Sequence, residues 1–448
     1  MSTTTAAPSS GMAGKLGTWL MIIATVGLAF VICVELINIL FYDPWSDDKF
    51  LFKLSGSLSG VEIGPLTYLM FGSLAVALMM GLPLAFVTGG LGVMFIYLVG
   101  DAMMLNIVPG RIFPLMANPD IAAIPLFIFM ASMLERAGLI EEMFSVVYKW
   151  MGGISGGLAA ATIVASTILA AMVGVIGAAV VTMGIIALPA MLKRHYDHKI
   201  AIGSIMAGGT LGILIPPSIL AILYAVVAQQ SVGELYLGSL LPGLMLSGLY
   251  LTYVLVRSWL NPKLGPPIPV EDRISLKEKL KLLGNLIAPL ALVGLVLGLL
   301  FGGIATPVEA AGIGSFGAII VAMMHKKFSI AGLREASVTT AKASAMVLWI
   351  MFGASVFVGF YILQGGQQFV TDAILGTGMS AYGILLLLMV LLVVLGMFLD
   401  WVGILLLAVP IFIPIVKALE FPGLFGFPPV AGDDVVLWFG VLYLVNMQ

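Results

Sequence analysis

The sequence predicts an all-α integral membrane protein, a multi-span helical bundle with two re-entrant helical hairpins that form a pseudo-inverted repeat. Hydrophobic residues make up 61% of the 448 residues and charged residues only 9%, whereas soluble domains carry about 25% charged residues. Lipid can solvate such a chain, because a membrane helix satisfies its own backbone hydrogen bonds. Two further observations are a pair of similar Gly-to-Pro stretches and a set of basic connectors between apolar runs.

Composition also excludes several classes of protein. The formal net charge is −2, so nucleic-acid binding, which depends on attraction to phosphates, has no electrostatic support. A single cysteine, Cys33, excludes an intrachain disulfide. The sequence contains no His-Glu-x-x-His motif, cysteine pair or nucleotide-binding loop, so we do not expect an enzyme.

The chain divides into three parts. Residues 1–15 are rich in Ser, Thr and Ala and are expected to be disordered. Residues 16–62 hold an acidic connector and an apolar run too long for a signal peptide, which we interpret as an extra N-terminal span. Residues 63–448 form the main domain, and its last apolar run, 435–448, is too short to cross a bilayer, so a C-terminal truncation is expected. Its other apolar runs cover 63–99, 121–134, 153–192, 199–228, 235–260, 282–304, 307–324, 338–363 and 380–416.

Three connectors of the main domain are basic, at residues 193–199, 257–281 and 326–342. Two spans separate each connector from the next, so all three are predicted to lie on one side of the membrane. The positive-inside rule makes that side cytoplasmic. A polar stretch at 101–120 and an interfacial segment at 135–149 interrupt the apolar pattern earlier in the domain.

Residues 174–189 and 396–410 resemble each other. Each lies in an apolar run that is too long for one crossing and too short for two, and each begins with glycine and ends with proline. This pattern predicts re-entrant hairpins near 170–192 and 394–416, with non-helical tips that survive in a membrane only beside a cavity. Paired broken segments in matching halves point to a transporter's binding site. Two ordinary spans packed through glycine are the alternative.

A further break is predicted at Pro216-Pro217, because paired prolines remove two backbone donors and clash with the preceding turn. The freed carbonyls and the Ser218 hydroxyl would be available to a hard cation such as sodium. The helix that begins after Ser218 would point its positive end at a nearby anion. A simple proline kink is the alternative, and no matching Pro-Pro break follows residues 396–410.

Two acidic residues lie within apolar stretches. Asp400 is in the second Gly-to-Pro stretch, and an intramembrane carboxylate is costly enough to be a functional-site hypothesis. Its alternative role is a structural hydrogen bond. Glu35 lies near the end of the first apolar run, where we expect it to contact the membrane interface.

Other polar residues have plain structural interpretations. Glu309 completes a capping box with Thr306 and Pro307 at the start of a helix. His195 and His198 lie in a basic connector, which favours a solvated surface over a metal site. The glutamines that follow residue 363 either line a polar cavity or end a helix; they are Gln364, Gln367 and Gln368.

Five pieces of the sequence, in this order and spacing, resemble the large membrane subunit of the tripartite ATP-independent periplasmic (TRAP) transporters. They are residues 177–184, 208–218 ending in Ile-Pro-Pro-Ser, 303–311, 396–400 and 438–446. The resemblance covers about residues 63–448. It implies an elevator-type carrier of the ion-transporter superfamily, located in the bacterial inner membrane and driven by a sodium gradient.

The resemblance also implies a small four-span TRAP membrane subunit, a periplasmic substrate-binding protein and a small organic solute as partners. Sodium is expected as the coupling ion and no other cofactor is expected. A basic residue is expected near residues 363–366 in carboxylate carriers, whereas this chain reads Gln364-Gly-Gly-Gln-Gln368. The candidate sodium ligands are Gly177, Thr182, Gly208, Thr210, Pro216, Ser218 and Asp400, and the candidate substrate residues are Gln364 and Gln367.

Other function classes stay open on the sequence alone. A stand-alone ion-coupled carrier of the same superfamily is the serious rival. A channel would more often show rings of charge or a repeated filter. An intramembrane enzyme would need a cluster of catalytic side chains.

Overall fold

The computed structural model describes residues 56–100, 102–173, 176–268, 275–422 and 429–448. These residues fold almost wholly into helices, with one isolated antiparallel bridge between Phe421 and Val430. The extra N-terminal span, with Cys33 and Glu35, lies outside the described residues. The α-helices are α1 (Ile63–Met79), α2 (Leu84–Val99), α3 (Ile107–Met116), α4 (Ala123–Arg136), α5 (Leu139–Met151), α6 (Gly157–Val173), α7 (Ile176–Lys193), α8 (His198–Thr210), α9 (Ile219–Ala228), α10 (Val232–Leu260), α11 (Leu276–Phe301), α12 (Pro307–Met324), α13 (Ile330–Leu363), α14 (Gly366–Leu375), α15 (Ala381–Gly396), α16 (Trp401–Lys417) and α17 (Asp433–Asn446).

The chain separates into two compact units. The described part of the first unit is residues 56–62, 93–100 and 102–106. Within it, the amide of Gly56 donates to the carbonyl of Tyr97 at 3.1 Å, and that of Leu58 donates to Leu98 at 2.8 Å. The second unit, residues 63–92 and 107–448, holds all the candidate site residues.

The predicted all-α, multi-pass membrane fold is confirmed. Three of the described helices are long and apolar enough to cross a bilayer by themselves: Val232–Leu260, Pro307–Met324 and Ile330–Leu363. The helical segment ending at Met116 and the segment Pro119–Arg136 meet at 63°, and this bent pair is long and apolar enough for a crossing only when the two are counted together. The 34 residues of α13 correspond to about 51 Å of helix, which exceeds the hydrocarbon thickness of about 30 Å.

The three basic connectors meet at one end of the second unit, as the sequence predicts. The first connector bonds directly to the second, and α5 bonds to both the second and the third. The positive-inside rule predicts that this end is cytoplasmic. The contacts are Asp197 N to Leu264 O at 3.0 Å, Trp150 Nε1 to Lys279 O at 3.1 Å, and Lys327 Nζ to Glu142 Oε1 at 2.6 Å.

The first predicted hairpin consists of α6, which ends at Val173, and α7, which begins at Ile176, and the two helices pack against each other. Residues 174–175 between them lie outside the described residues. Both ends of this hairpin are at the basic end: Gly156 N donates to Gly265 O at 2.8 Å, and Leu158 N donates to the Tyr196 hydroxyl at 3.1 Å. The hairpin is longer than the predicted 170–192, because all of α6 belongs to it.

The second hairpin consists of α15 and α16, with a break at residues 397–400. The rings of Tyr382 and Phe421, at its two ends, lie 5.1 Å apart. It starts close to the end of α13 that is remote from the basic connectors, since only α14 intervenes. The two hairpins therefore open at opposite ends, which is the predicted pseudo-inverted arrangement. This hairpin also begins earlier than the predicted residue 394.

The polar stretch at 101–120 contains α3 (Ile107–Met116), a short 3₁₀ helix before it and the start of a second one after it. Pro109, Gly110, Arg111 and Pro114 interrupt the apolar pattern of this stretch. Pro109 lies in the first turn, where its missing N–H costs little.

Candidate functional site

The predicted break at Pro216-Pro217 is confirmed. The chain leaves α8 through a 3₁₀ turn, Leu211–Ile213, and a new helix, α9, starts at Ile219. Ser218 caps that helix, because its hydroxyl accepts the amide of Ala221 at 3.3 Å and donates to the carbonyl of Ile213. The Tyr236 hydroxyl donates to the Ser218 carbonyl at 3.1 Å. The Ser218 oxygens thus have structural partners within the chain.

Two adjacent glycines let α8 approach both arms of the first hairpin. A Cβ on Gly208 would lie 2.8 Å from the Ser166 hydroxyl of α6, and one on Gly209 would lie 2.2 Å from a methyl group of Val180 on α7. The Ser166 hydroxyl is buried and has no hydrogen-bond partner among the described residues. Gly177 lies in the first turn of α7.

The two candidate threonines face different neighbours. The Thr182 hydroxyl donates to Glu135 Oε1, at the end of α4, at 3.4 Å. The Thr210 hydroxyl donates to the carbonyl of Ala207, within α8, at 2.9 Å. No hydrogen bond between described residues joins either hydroxyl to Ser218. Their role as sodium ligands stays a prediction.

Asp400 caps α16 at the tip of the second hairpin. Its carboxylate accepts the amide of Gly403 at 3.2 Å, and its extended backbone conformation is that of an N-cap. A Cβ on Gly403 would lie 2.9 Å from the Asp400 carboxylate, so glycine leaves room for the cap. The structural alternative for Asp400 is therefore observed, and its role in ion binding stays a prediction.

Two buried tyrosines connect this tip to α9 and α17. The Tyr443 hydroxyl of α17 donates to the carbonyl of Trp401 at 3.0 Å. The Tyr224 hydroxyl of α9 donates to Val436 O at 2.6 Å, and its ring stacks on Tyr443 at 5.8 Å. The helix that starts at Ser218 and the helix that starts at Asp400 are thereby held in one cluster.

Comparison with known proteins identifies this arrangement. The family model for the DctM component of the tripartite ATP-independent periplasmic transporters matches residues 71–448. The chain belongs to this family. It is accordingly a membrane permease component and not an enzyme.

The similar proteins agree with this membership. The isethionate TRAP transporter permease protein DctMQ of Oleidesulfovibrio alaskensis is 31% identical over 386 residues, which cover 86% of this chain and 58% of that protein. The C4-dicarboxylate TRAP transporter large permease protein DctM of Rhodobacter capsulatus is 28% identical, over 85% of this chain and 86% of that protein. The crystal structure of the Alcanivorax borkumensis YdaH transporter shares the fold, with a TM-score of 0.53, 16% identity, and coverage of 85% of this chain and 86% of that one.

In this family member the glutamines after α13 have different partners. Gln364 is the C-cap of α13. The Gln367 side-chain amide donates to the carbonyl of Pro410 in the second hairpin at 3.0 Å. Gln368 is exposed and donates to Asp372 at 2.7 Å. Contact of Gln364 or Gln367 with substrate stays a prediction.

The other polar residues lie as the sequence predicts. Glu309 and Thr306 form the capping box at the start of α12, with both reciprocal hydrogen bonds present. His195 and His198 are exposed. The sequence analysis did not single out Arg111. An arginine between two apolar runs was the signal that could have identified it. Its side chain reaches α13, where Nη2 donates to the Gly359 carbonyl at 3.2 Å.

Proposed function

We propose that this chain is the large transmembrane subunit of a TRAP transporter that imports a small organic solute by sodium-coupled secondary transport. The observation that carries the proposal is the pair of hairpins that open at opposite ends of a DctM-family chain. Inverted repeats with broken helices characterise secondary transporters that place their binding site between the repeats. The location that fits this role is the bacterial inner membrane.

For the coupling ion, we propose sites at the first hairpin with the Pro-Pro break and at the tip of the second hairpin. Sodium is a hard cation, and carbonyl, hydroxyl and carboxylate oxygens suit such ions. Among the described residues, the helix breaks at 214–218 and 397–400 and the end of α6 at Val173 leave backbone carbonyls without helical partners. The proposed ligands are Gly177, Thr182, Gly208, Thr210, Pro216, Ser218 and Asp400.

For the partners, we propose a small four-span membrane subunit and a periplasmic solute-binding protein. The family description itself names a tripartite periplasmic system. Relatives are named for isethionate, for C4-dicarboxylates, for ectoine and 5-hydroxyectoine, and for sialic acid. Each of these solutes carries a sulfonate or a carboxylate, so we infer that the solute of this chain is also a small organic acid.

The test is uptake into proteoliposomes that contain the chain with its small subunit and matching binding protein. An inward sodium gradient should drive accumulation of a radiolabelled organic acid, and an equal potassium gradient should not. Uptake that is undiminished without the binding protein would favour a stand-alone carrier. Accumulation that is driven by a proton gradient and does not depend on sodium would overturn the proposed coupling.

A further inference from the structure

A cavity of about 370 Å³ lies between α3, α9, α13 and α16 in the second unit. Among the described residues that line it, Arg111 is the one charged residue, and Gln229 and Ser355 are its polar companions. The other lining residues are apolar, glycine or proline. Small-molecule sites have volumes of about 300–1,000 Å³, mostly apolar walls and a few polar groups. The cavity therefore suits a small organic solute.

Arg111 has no acidic partner in the parts of the chain that the structure describes. Arg111 is half-buried, and among the described residues its guanidinium bonds only to the Gly359 carbonyl, at 3.2 Å. The ion pairs found among the described residues involve other side chains. A guanidinium has five N–H donors, so most of its donors are free to bind a ligand. A cation without an acidic partner beside mostly apolar walls is costly to bury, which makes it a functional-site hypothesis.

Gly359 positions this guanidinium. A Cβ at residue 359 would lie 2.7 Å from Arg111 Nε and 3.1 Å from its Cζ. The absence of a side chain therefore lets the planar group lie against the backbone of α13. In that position one edge of the guanidinium is held by the Gly359 carbonyl while Arg111 lines the cavity, and a planar guanidinium can bind an anion through two N–H groups.

The cavity lies toward the membrane side opposite the basic connectors. Helix α13 begins beside the third basic connector, and its lining residues, from Met351 to Ile362, belong to its last third. Gln229, another lining residue, follows the last turn of α9. By the positive-inside rule this is the periplasmic half, from which an importer receives its solute.

We propose that Arg111 is the anion-recognising residue of this cavity, and that the cavity takes a small monoanionic solute with one carboxylate or sulfonate group. The assignment of that anion as the transported solute rests on the proposed function. One cation in the lining neutralises one anionic group, whereas a second carboxylate would be buried without a partner. Monoanions are therefore preferred over dianions. The cation comes from α3, while residues 363–366 supply none.

Binding is measured on the purified full chain in detergent, as the shift in melting temperature at constant ionic strength. The probes are isethionate and lactate as monoanions, succinate as a dianion, and lactamide as the neutral analogue of lactate. We expect the monoanions to stabilise the protein, succinate to act more weakly and lactamide to have no effect. Arg111→Gln should weaken monoanion binding by about tenfold or more, the size of one lost charge-assisted hydrogen bond.

Three further variants keep the test decisive. Arg111→Lys retains the charge and should retain part of the binding, while Gly359→Ala should weaken binding by displacing the guanidinium without removing it. Arg334→Gln, which removes an exposed charge at the other end of α13, should leave binding unchanged. If Arg111→Gln does not fold, Gly359→Ala and Arg111→Lys still report on the site.

Several results would overturn the proposal. The first is that no monoanion raises the melting temperature of the wild-type protein. The second is that Arg111→Gln binds monoanions as well as the wild type does, or that lactamide binds as well as lactate. The third is that phosphatidylglycerol stabilises the protein through Arg111 whereas the free anions do not. Sodium-driven uptake tests the proposed function separately. If the protein takes up solute with sodium but binds anions independently of Arg111, only the present inference is overturned. If anion binding depends on Arg111 but sodium drives no uptake, only the proposed function is overturned.

Discussion

The hydroxyl of Tyr196 accepts a hydrogen bond from the amide of Leu158 at 3.1 Å, and this contact joins the two ends of the first hairpin. Leu158 is in the first turn of α6, where an amide has no partner within the helix. Tyr196 follows α7 and is buried. At the second hairpin the corresponding closure is a ring contact between Tyr382 and Phe421.

Removing the Tyr196 hydroxyl should therefore destabilise the protein. In Tyr196→Phe the buried amide of Leu158 loses its acceptor, which costs about 1–3 kcal/mol. Thermal unfolding of the purified chain in detergent measures the effect. Tyr382→Phe is the matched control, because the described structure gives its hydroxyl no hydrogen bond and the ring contact is kept. Equal losses in both variants would contradict a specific role for the Tyr196 hydroxyl.

The same tyrosine predicts a pH dependence. Burial raises the pKa of Tyr196 from its usual value near 10 to about 12. The folded state disfavours the phenolate, so the contribution to stability is complete below pH 10 and is lost as the pH rises toward 12. The stability advantage of the wild type over Tyr196→Phe should fall by about 1.4 kcal/mol per pH unit in this range. A stability difference between the wild type and Tyr196→Phe that stays constant from pH 9 to pH 12 would refute this pH dependence.

Asp400→Asn should abolish sodium-driven uptake while the protein still folds. Asparagine caps a helix about as well as aspartate, so the hydrogen bond to Gly403 is kept and only the charge is removed. Uptake and membrane abundance are measured in parallel. Asp400→Ala, which also loses the cap, should lower stability by about 1 kcal/mol. Near-normal uptake by the Asn variant would leave Asp400 with its structural role alone.

Ser218→Ala combined with Thr182→Ala should raise the sodium concentration needed for half-maximal uptake more than it reduces assembly. Each change removes one hydroxyl oxygen from the proposed ion site. Ser218 is also the cap of α9, so Ala costs about 1 kcal/mol of stability there and Gly costs a few tenths. Ser218→Gly thus separates the two roles: unchanged sodium dependence in this variant would argue against ion binding.

Gln367→Leu should destabilise the second hairpin. Pro414 has no N–H to donate to the carbonyl of Pro410, and the amide of Gln367 supplies that donor at 3.0 Å. Loss of the bond leaves a carbonyl unsatisfied, at about 1–3 kcal/mol. Gln368→Leu, at an exposed neighbour that bonds only to Asp372, should change the melting temperature little. The reverse order would show that the Gln367 contact is dispensable.

Features with a local cause could be predicted from the sequence. The Pro-Pro break, the capping box of Thr306 and Glu309, and the paired hairpins follow from backbone chemistry and apolar patterning. The hairpin boundaries could not be predicted, because the sequences of α6 and α15 are those of ordinary apolar helices. Only their packing against α7 and α16 identifies them as hairpin arms.

Features with a tertiary cause were missed. Arg111 depends on Gly359, which is 248 residues away in the sequence. Pro414 indicates that some donor must reach the Pro410 carbonyl, yet only the fold selects Gln367 over Gln364 or Gln368. Thr182 was grouped with Ser218 as a candidate sodium ligand, and its hydrogen bond to Glu135 could not be predicted from the sequence.

The closed bases of the two hairpins affect how the chain's topology is counted. A segment that returns to the side from which it entered adds two helices and no crossing. Reporter tags inserted before Gly157 and after Lys193 should therefore label the same compartment, although about 37 mostly apolar residues separate them. Helices α6, α7, α15 and α16 therefore leave unchanged the side of the membrane on which the chain continues after each hairpin.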